Sequence, residues 1–569
     1  MGRTRFGAAL AAATLLLSAC GSSASPTPGQ TPGPTGAGPT ATTAPVATPK
    51  TGGTLVVAIP GDINRTDPSL IDDANSSYVE QQVVENLVTL EPGSGDHIIG
   101  ALAQSWDVSA DGLTYTFHLR SGIKFHDGTD FNADAVKFNF DRWIAIPDAY
   151  SKLGYTYYID TVIGRGASSF IASTAAPDQQ TFVVTLKVPN SAFLVQMTIP
   201  AIFGIQSPTA LQAGNASAAD FKDNKYAVGT AASEMIGTGP FMFKDWTPGD
   251  HLDLVKNPNY WNAAAGGPYL DQITFKPIAD TTATLNALQA PGGVDLAQTL
   301  APPDVPTIKA DTNLQYYDRG SACNVGVLAM NQTHKPFDNP KIRQAVAYAL
   351  NRQAIVDAFF GAAGVVVKTW APPGTKFAKD EAIPGYDVAM AKQLIQESGV
   401  TDLSFDFWYP SGVSRPYMPD PKAEFEAITT DLEAVGFKPN PQTAPWRPDY
   451  LGAESSGKYP MWLIGWNCDY LGIDNFLSTA FFGYHGGQPN PEYAEKNDAM
   501  NQAMVDALKA SDEATQTADW ATAQDLMLAD MPAVPIVSGI TPSAGRTYVQ
   551  GFTPSPTLAE YFTNVWLNR

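Results

Sequence analysis

At 569 residues the chain is too long for one compact core and reads as roughly three or four domain-sized units. Hydrophobic residues make up 44% and charged residues 16%, the latter under the roughly 25% of an average soluble protein, which is a globular rather than a disordered composition. A net charge of -21 and a pI near 4.6 set up a field that repels phosphate backbones and anionic headgroups, excluding nucleic acid and acidic lipid surfaces as natural partners.

The first elements are targeting signals. Arg3 and Arg5 precede an apolar run over residues 6–17, and Leu17-Ser18-Ala19-Cys20 stands before Gly21. This is an export signal, and its end resembles the bacterial lipobox, in which the cysteine is lipidated and becomes the new N-terminus. The apolar run is too short to span a bilayer, so the expectation is a chain anchored to the outer face of the cytoplasmic membrane by lipid on Cys20 alone. Residues 21–50 are nearly all Ser, Pro, Thr, Gly, Ala and Gln, which bury no apolar area and predict a disordered tether.

Ordered structure is expected from Gly52-Gly53-Thr54-Leu55-Val56-Val57-Ala58-Ile59, an apolar run bounded by glycine and proline that predicts a buried strand. Trp106-Asp107-Val108, the alternating Thr114-Tyr115-Thr116-Phe117-His118-Leu119 and Ile123-Lys124-Phe125 are separated by Asp111-Gly112 and Ser121-Gly122 turns and predict hairpins. Residues 181–188 alternate again, with Phe182, Val184, Leu186 and Val188 on one face. Over 340–360 the positions Ile342, Ala345, Val346, Ala349 and Leu350 recur at helical spacing behind an Asp338 or Asn339 cap, and 387–397 predicts a second amphipathic helix closed by Gly399. No repeat of fixed period and no further membrane-length apolar segment interrupts this α/β body.

The sequence carries no readable catalytic or metal motif. The six histidines, His97, His118, His126, His251, His334 and His485, lie far apart and none forms an H-E-x-x-H pair, so no metal site or cofactor is expected. Gly-x-Ser-x-Gly is missing, and the G-x-x-x-x-G-K of residues 452–458 is followed by Tyr459 instead of a magnesium-binding Ser or Thr. A carboxylate dyad has no spacing signature that the 56 acidic residues would reveal. Besides Cys20 the chain holds Cys323 and Cys468, read as two buried free thiols, with one disulfide as the alternative open to an exported chain. Asp469 follows the apolar and aromatic run Met461-Trp462-Leu463-Ile464-Gly465-Trp466-Asn467-Cys468. Lys458 and Lys496 are the nearest lysines or arginines in sequence, so a buried carboxylate here has no local counterion.

Several stretches, weak singly and strong in their number and order, resemble the large solute-binding proteins, family 5, of bacterial peptide and nickel ABC importers. They include Gly53-Thr54-Leu55 with Asp67-Pro68, and Leu102-Ala103-Gln104-Ser105-Trp106 through Gly112-Leu113-Thr114-Tyr115-Thr116-Phe117. Phe125-His126-Asp127-Gly128, Gly237-Thr238-Gly239-Pro240-Phe241, Asn257-Pro258-Asn259-Tyr260-Trp261 and Phe337-Asp338-Asn339-Pro340 continue the series over most of 52–569. The resemblance implies a two-lobed periplasmic-binding-protein-like α/β fold of type II, with a hinge of two crossing strands and an extra subdomain. Lobe one would comprise 52–90, 235–315 and 535–569, the inserted subdomain 91–234, and lobe two 316–534.

It also implies site residues. Trp466-Asn467-Cys468-Asp469 matches the Trp-x-x-Asp segment whose aspartate pairs with a peptide's α-ammonium. Ser414-Arg415-Pro416-Tyr417-Met418-Pro419 resembles the dipeptide-binding subgroup, where the arginine holds the C-terminal carboxylate. Tyr155 matches a ligand-side tyrosine of the insertion, and of Trp370, Trp408, Trp446 and Trp466 only Trp466 is expected at the ligand. The family continues its aspartate segment with Pro-Asp-Pro, whereas this chain has Tyr470-Leu471-Gly472-Ile473-Asp474, which puts the first side-chain pocket in doubt. The expectation is a monomeric, non-enzymatic receptor that takes a short peptide, a dipeptide first, to the transmembrane subunits of a permease. The rivals are an oligosaccharide or metal-chelate receptor on the same fold, which would not need Asp469 and Arg415, and a secreted hydrolase, which would show turnover.

Overall fold

The computed structural model describes residues 48–569 apart from 72, 152–155, 223–234, 381–382, 484–487 and 558; the export signal, Cys20 and the tether to residue 47 lie outside the described residues. Three main sheets organise the body. The first runs, in spatial order, Leu314–Tyr317, Ser543–Arg546, Leu296–Ala297, Thr54–Ile59, Gln272–Pro277, His251–Lys256, Phe241–Thr247. Thr54–Ile59 is flanked on both sides by parallel neighbours, which is why it reads as a nearly continuous apolar run rather than an alternation.

The second sheet runs Gly364–Val366, Ala533–Gly539, Asn324–Met330, Met461–Asn467, Ser404–Ser411, Lys438–Pro445. The third, Ala103–Val108, Thr114–Leu119, Thr181–Leu186 and Ile171–Asp178, is an antiparallel sheet of its own within the insertion. Its alternating strands bury Tyr115, Phe117, Leu119, Phe182, Val184 and Leu186 against the helix Ala133–Ile144. Separate apolar cores back the sheets, so each lobe and the insertion is a packed unit.

Side-chain caps set several helix starts: Asp73 accepts from the Asn75 and Ser76 amides, Asp387 from Met390, and Asp420 from Ala423. Gly399, at φ 69, ends the Val388–Ser398 helix in the left-handed conformation expected of it. The helical pattern over 340–360 is two helices, Pro340–Ala349 and Arg352–Phe359. Leu350 is extended, and the Asn351 side chain accepts from the Ala354 amide and starts a second helix where the apolar spacing alone predicted one. Ile123-Lys124-Phe125 makes only a single bridge, Lys124 to Asp130.

The chain passes from the first large sheet to the second between Leu314–Tyr317 and Asn324–Met330, and back between Ala533–Gly539 and Ser543–Arg546. Arg319 ties the two passages together. Its fork donates to Glu560 at 2.8 and 3.0 Å, to the Thr541 carbonyl at 2.8 Å and to the Gln298 carbonyl at 3.2 Å, with both charged side chains buried. A bidentate guanidinium–carboxylate pair with its remaining donors satisfied is the geometry in which burying two charges is tolerable. Replacing Arg319 by Met strands Glu560 and is expected to cost about 3–5 kcal/mol of unfolding free energy, while Arg319→Met with Glu560→Gln should lose less than that. Urea denaturation of the two variants measures the difference.

Candidate functional site

The strand Met461–Asn467 is apolar because it lies inside the second sheet, antiparallel to Asn324–Met330 and parallel to Ser404–Ser411. Its register sets Asn467 opposite Asn324, so Cys468 leaves the sheet beside Cys323 at the first passage between lobes. The Cys468 amide donates to the Cys323 carbonyl at 2.7 Å, and the two cysteines form a disulfide with Cα atoms 5.4 Å apart. The reading as two free thiols is thereby corrected: strand register brings together residues separated by 145 positions.

Asp469 follows directly. Its Oδ1 accepts from the Tyr158 hydroxyl at 2.8 Å and its Oδ2 from Asn475 Nδ2 at 2.9 Å, while its own amide donates to Asn475 Oδ1 at 3.1 Å. Asn475 Oδ1 also accepts Nε1–H of Trp466 at 3.1 Å, so one buried amide orients both the indole and the carboxylate. No cation pairs with Asp469 among the described residues. Burial pushes its carboxyl up to about 6, and the hydrogen bonds from Asn475 and Tyr158 only partly oppose that rise.

The opposite wall belongs to the insertion. Tyr157 and Tyr158 open the helix Tyr157–Val162, and the Tyr157 ring lies 5.5 Å from Trp466 with its hydroxyl on the Thr479 carbonyl. Tyr155 lies outside the described residues. The sequence that replaces Pro-Asp-Pro crosses the same gap: Tyr470, 1% exposed, sits in the core of the insertion, and its hydroxyl donates to Asp474 at 2.5 Å. Gln196 of the insertion donates to Asp474 at 3.2 Å, and the Leu471 amide to the Gly95 carbonyl at 2.8 Å.

Arg415 lies on the loop after Ser404–Ser411, closed by reciprocal backbone hydrogen bonds with Met418 at 3.0 and 2.9 Å. Next in line, the Tyr417 ring fills the space over Gly465, where a Cβ would stand 2.5 Å from Tyr417 Cδ2; only glycine admits that approach. The Arg415 guanidinium stacks 4.6 Å from the Trp446 ring, its Nε is buried without a partner, and no carboxylate forms an ion pair with it among the described residues. Burial pulls its pKa down, with the Arg447 charge adding to the effect and Tyr417 and Asp73 opposing it.

Pro416, Asn467, Cys323, Asn324, Arg319 and Thr541 line one crevice at the passages between lobes, and Asn467 Oδ1 is a buried acceptor with no partner. Of the other tryptophans, Trp370 is core, donating to the Ala533 carbonyl, and Trp408 stacks on Tyr459. A larger cavity of about 410 Å³ lies by Arg352 and the edge strand Gly364–Val366; Arg352 is spent on the Val367 and Pro535 carbonyls there. Among the described residues no group of three or more His, Cys, Asp or Glu is placed to hold a metal ion, and no helix is long and apolar enough to cross a membrane.

Sequence reasoning missed Tyr157, Tyr158 and Asn475 as site residues. The pair lies two and three residues after Tyr155, but nothing in spacing says which hydroxyl reaches a carboxylate 311 positions away. Residues 97–488 match the family described as bacterial extracellular solute-binding proteins, family 5 Middle. The chain is 30% identical over 502 residues to the di/tripeptide-binding protein 1 of Pseudomonas aeruginosa, covering 86% of this chain and 90% of that protein. It is 32% identical over 507 residues to the heme-binding protein A of Haemophilus influenzae, covering 86% and 88%. A solved structure of the periplasmic binding protein DppA from Helicobacter pylori, in complex with the peptide STSA, superposes with a TM-score of 0.76 at 26% identity, over 91% of this chain and 99% of that one.

Two outcomes follow from the geometry. Cys323→Ser with Cys468→Ser opens the loop that joins the passage to the aspartate and is expected to lower stability by about 2–5 kcal/mol in chemical denaturation. The folded state holds the Asp469 proton up to about 6 against an ordinary value of 3.8, so this group withdraws stability as pH rises through that interval. Asp469→Asn cannot ionise and should therefore gain on the parent by about 2–3 kcal/mol between roughly pH 4 and pH 7, read from urea midpoints at the two values.

Proposed function

The chain belongs to the bacterial extracellular solute-binding proteins of family 5, and on that premise we propose that it captures short peptides, dipeptides first, between its two lobes. The observation that carries the reading is a pair of unanswered charges. Among the described residues Asp469 accepts only from neutral donors, and Arg415 stacks on an aromatic face without forming an ion pair, although Asp73 acts on its charge. A peptide zwitterion supplies both missing counterions at once, its ammonium to Asp469 and its carboxylate to the two-donor fork of Arg415. Trp466 would flank the ammonium, with Asn467 offering its idle Oδ1 to a peptide N–H and Cys468 fixing the loop through its disulfide.

Two charges fixed on one lobe act as a ruler, because an extended residue spans at most roughly 3.3–3.6 Å and one residue more would pull an end off its partner. Side chains between the ends would be served by water and backbone, which suits an importer that accepts many sequences. Closure is a population shift: ligand contacts made by both lobes at once exist only in the shut state, and a micromolar affinity supplies roughly 8 kcal/mol toward it. The lobes we propose are 52–90, 235–315 and 535–569 for the first, 91–234 for the insertion and 316–534 for the second, with the last boundary moved to about 540 because Ala533–Gly539 is a strand of the second sheet. Export, a lipid on Cys20, the tether over 21–50 and delivery as a monomer to permease subunits complete the proposal.

Titration calorimetry with a dipeptide, its N-acetylated form and a tetrapeptide tests it. The free dipeptide should bind, acetylation should abolish binding, and Asp469→Asn should weaken it by about 2–5 kcal/mol. Since the ammonium needs the ionised carboxylate, affinity should hold above about 6 and fall as pH drops below it. Equal binding of the acetylated peptide would sink the assignment of Asp469, and turnover of a chromogenic ester or glycoside would favour a hydrolase.

A further inference from the structure

Two further carboxylates meet in the second lobe without a cation. Glu454 ends the helix Leu451–Glu454, is 5% exposed, and accepts Nε1–H of Trp462 at 3.0 Å. Glu492 is half-buried on the loop that follows Asn490, whose Oδ1 takes its amide; its carbonyl takes Asn331 Nδ2 at 2.7 Å. Burial and then the charge of Glu492 hold the Glu454 carboxyl well above the usual range, and burial carries Glu492 to about 7. Neither forms an ion pair among the described residues.

The walls around them are aromatic and hold idle polar atoms. Tyr459 and Tyr493 are 2% and 0% exposed, and neither phenol oxygen has a hydrogen-bond partner among the described residues. Both phenols feel the charge of Glu454, and Tyr493 also that of Glu492 beside it. The Tyr493 ring packs 5.3 Å from Trp462, the indole that serves Glu454. The charge of Glu492 also acts on Tyr157, the residue of the insertion that faces Trp466, as does that of Asp469. Two carboxyls sharing one proton would account for the raised acids, but it leaves two buried phenols unused, and a buried polar atom without a partner is costly.

We propose that Glu454 and Glu492, with the phenols of Tyr459 and Tyr493, form a subsite for a cationic side chain of the bound peptide, the guanidinium of arginine or the ammonium of lysine. The inference rests on the peptide reading of the Asp469 site. A guanidinium carries five donors and a planar face, enough to engage two carboxylates and two phenol oxygens while stacking on the rings, and its charge lets both acids ionise together. The receptor is then selective for peptides with one basic residue.

Calorimetry of the whole chain at about pH 8 with Ala-Ala, Arg-Ala, Ala-Arg and the matching citrulline dipeptides, which keep the shape and remove the charge, tests the subsite. At least one arginine dipeptide should bind about tenfold or more tighter than its citrulline counterpart, and Glu492→Gln should bring that ratio near one. The arginine-to-citrulline comparison needs no variant, so it stands even if Glu492→Gln folds poorly. Equal affinities for arginine and citrulline peptides, with Ala-Ala still bound, would overturn the subsite and leave the peptide reading in place. If no peptide binds, that reading fails and the subsite falls with it.

Discussion

Everything in this molecule is arranged around the two passages of the chain between its large sheets. A passage has to be fixed well enough to set the lobes in register and still free enough to bend. Arg319 meets the first requirement by binding the carbonyl of Thr541 on the other passage while Glu560 neutralises it completely. The disulfide meets it again a few residues later, joining the first passage to the end of the Met461–Asn467 strand. With these charges answered locally, the hinge makes no demand on a ligand. Asp469 and Arg415, set on loops that leave the same sheet, are the groups that do.

The state of Asp469 follows from a contest between burial and two neutral hydrogen bonds to its carboxylate. Burial wins, since the carboxyl rises to about 6 despite its donors. An acid in that condition is poised: it is neither so stabilised that a cation gains nothing nor so desolvated that it stays protonated at neutral pH. One of the donors, Tyr158, comes from the insertion, so the contact that steadies the carboxylate is also a contact that forms when the insertion meets the second lobe. In the proposed closure the charge of Asp469 and the meeting of insertion and second lobe are coupled through this hydroxyl, beside the Tyr157–Trp466 and Gln196–Asp474 contacts.

Much of the scaffold was legible because it depends on local pattern. Thr54–Ile59 is an apolar run in a sheet buried on both faces, and Asp387 and Gly399 bracket a helix by capping chemistry that needs no tertiary context. The single helix expected over 340–360 failed at Asn351, where a side chain that can cap competed with a spacing that could continue. The family resemblance pointed to Asp469 and Arg415, with Trp466 and Tyr155 near the ligand, but not to the side chains that hold the two charges. The disulfide depends on the register of Asn324 against Asn467, and the partners Asn475, Tyr158 and Trp446 depend on how loops and lobes meet. Long-range register and loop packing leave no periodic mark in a sequence, which is why these were found only in three dimensions.

The segment after Asp469 shows how far a departure from family pattern can be structural. Where Pro-Asp-Pro was expected, Tyr470 leaves the second lobe and buries its ring in the core of the insertion, with Asp474 and Gln196 satisfying its hydroxyl end. Burying a large side chain of this kind contributes roughly 1.5–3 kcal/mol. That contact joins the second lobe to the insertion. The same contact has a further consequence: Asn475, which orients Trp466 and Asp469, directly follows Asp474, so the anchoring of Tyr470 in the insertion and the geometry around Asp469 are set by one short stretch of chain.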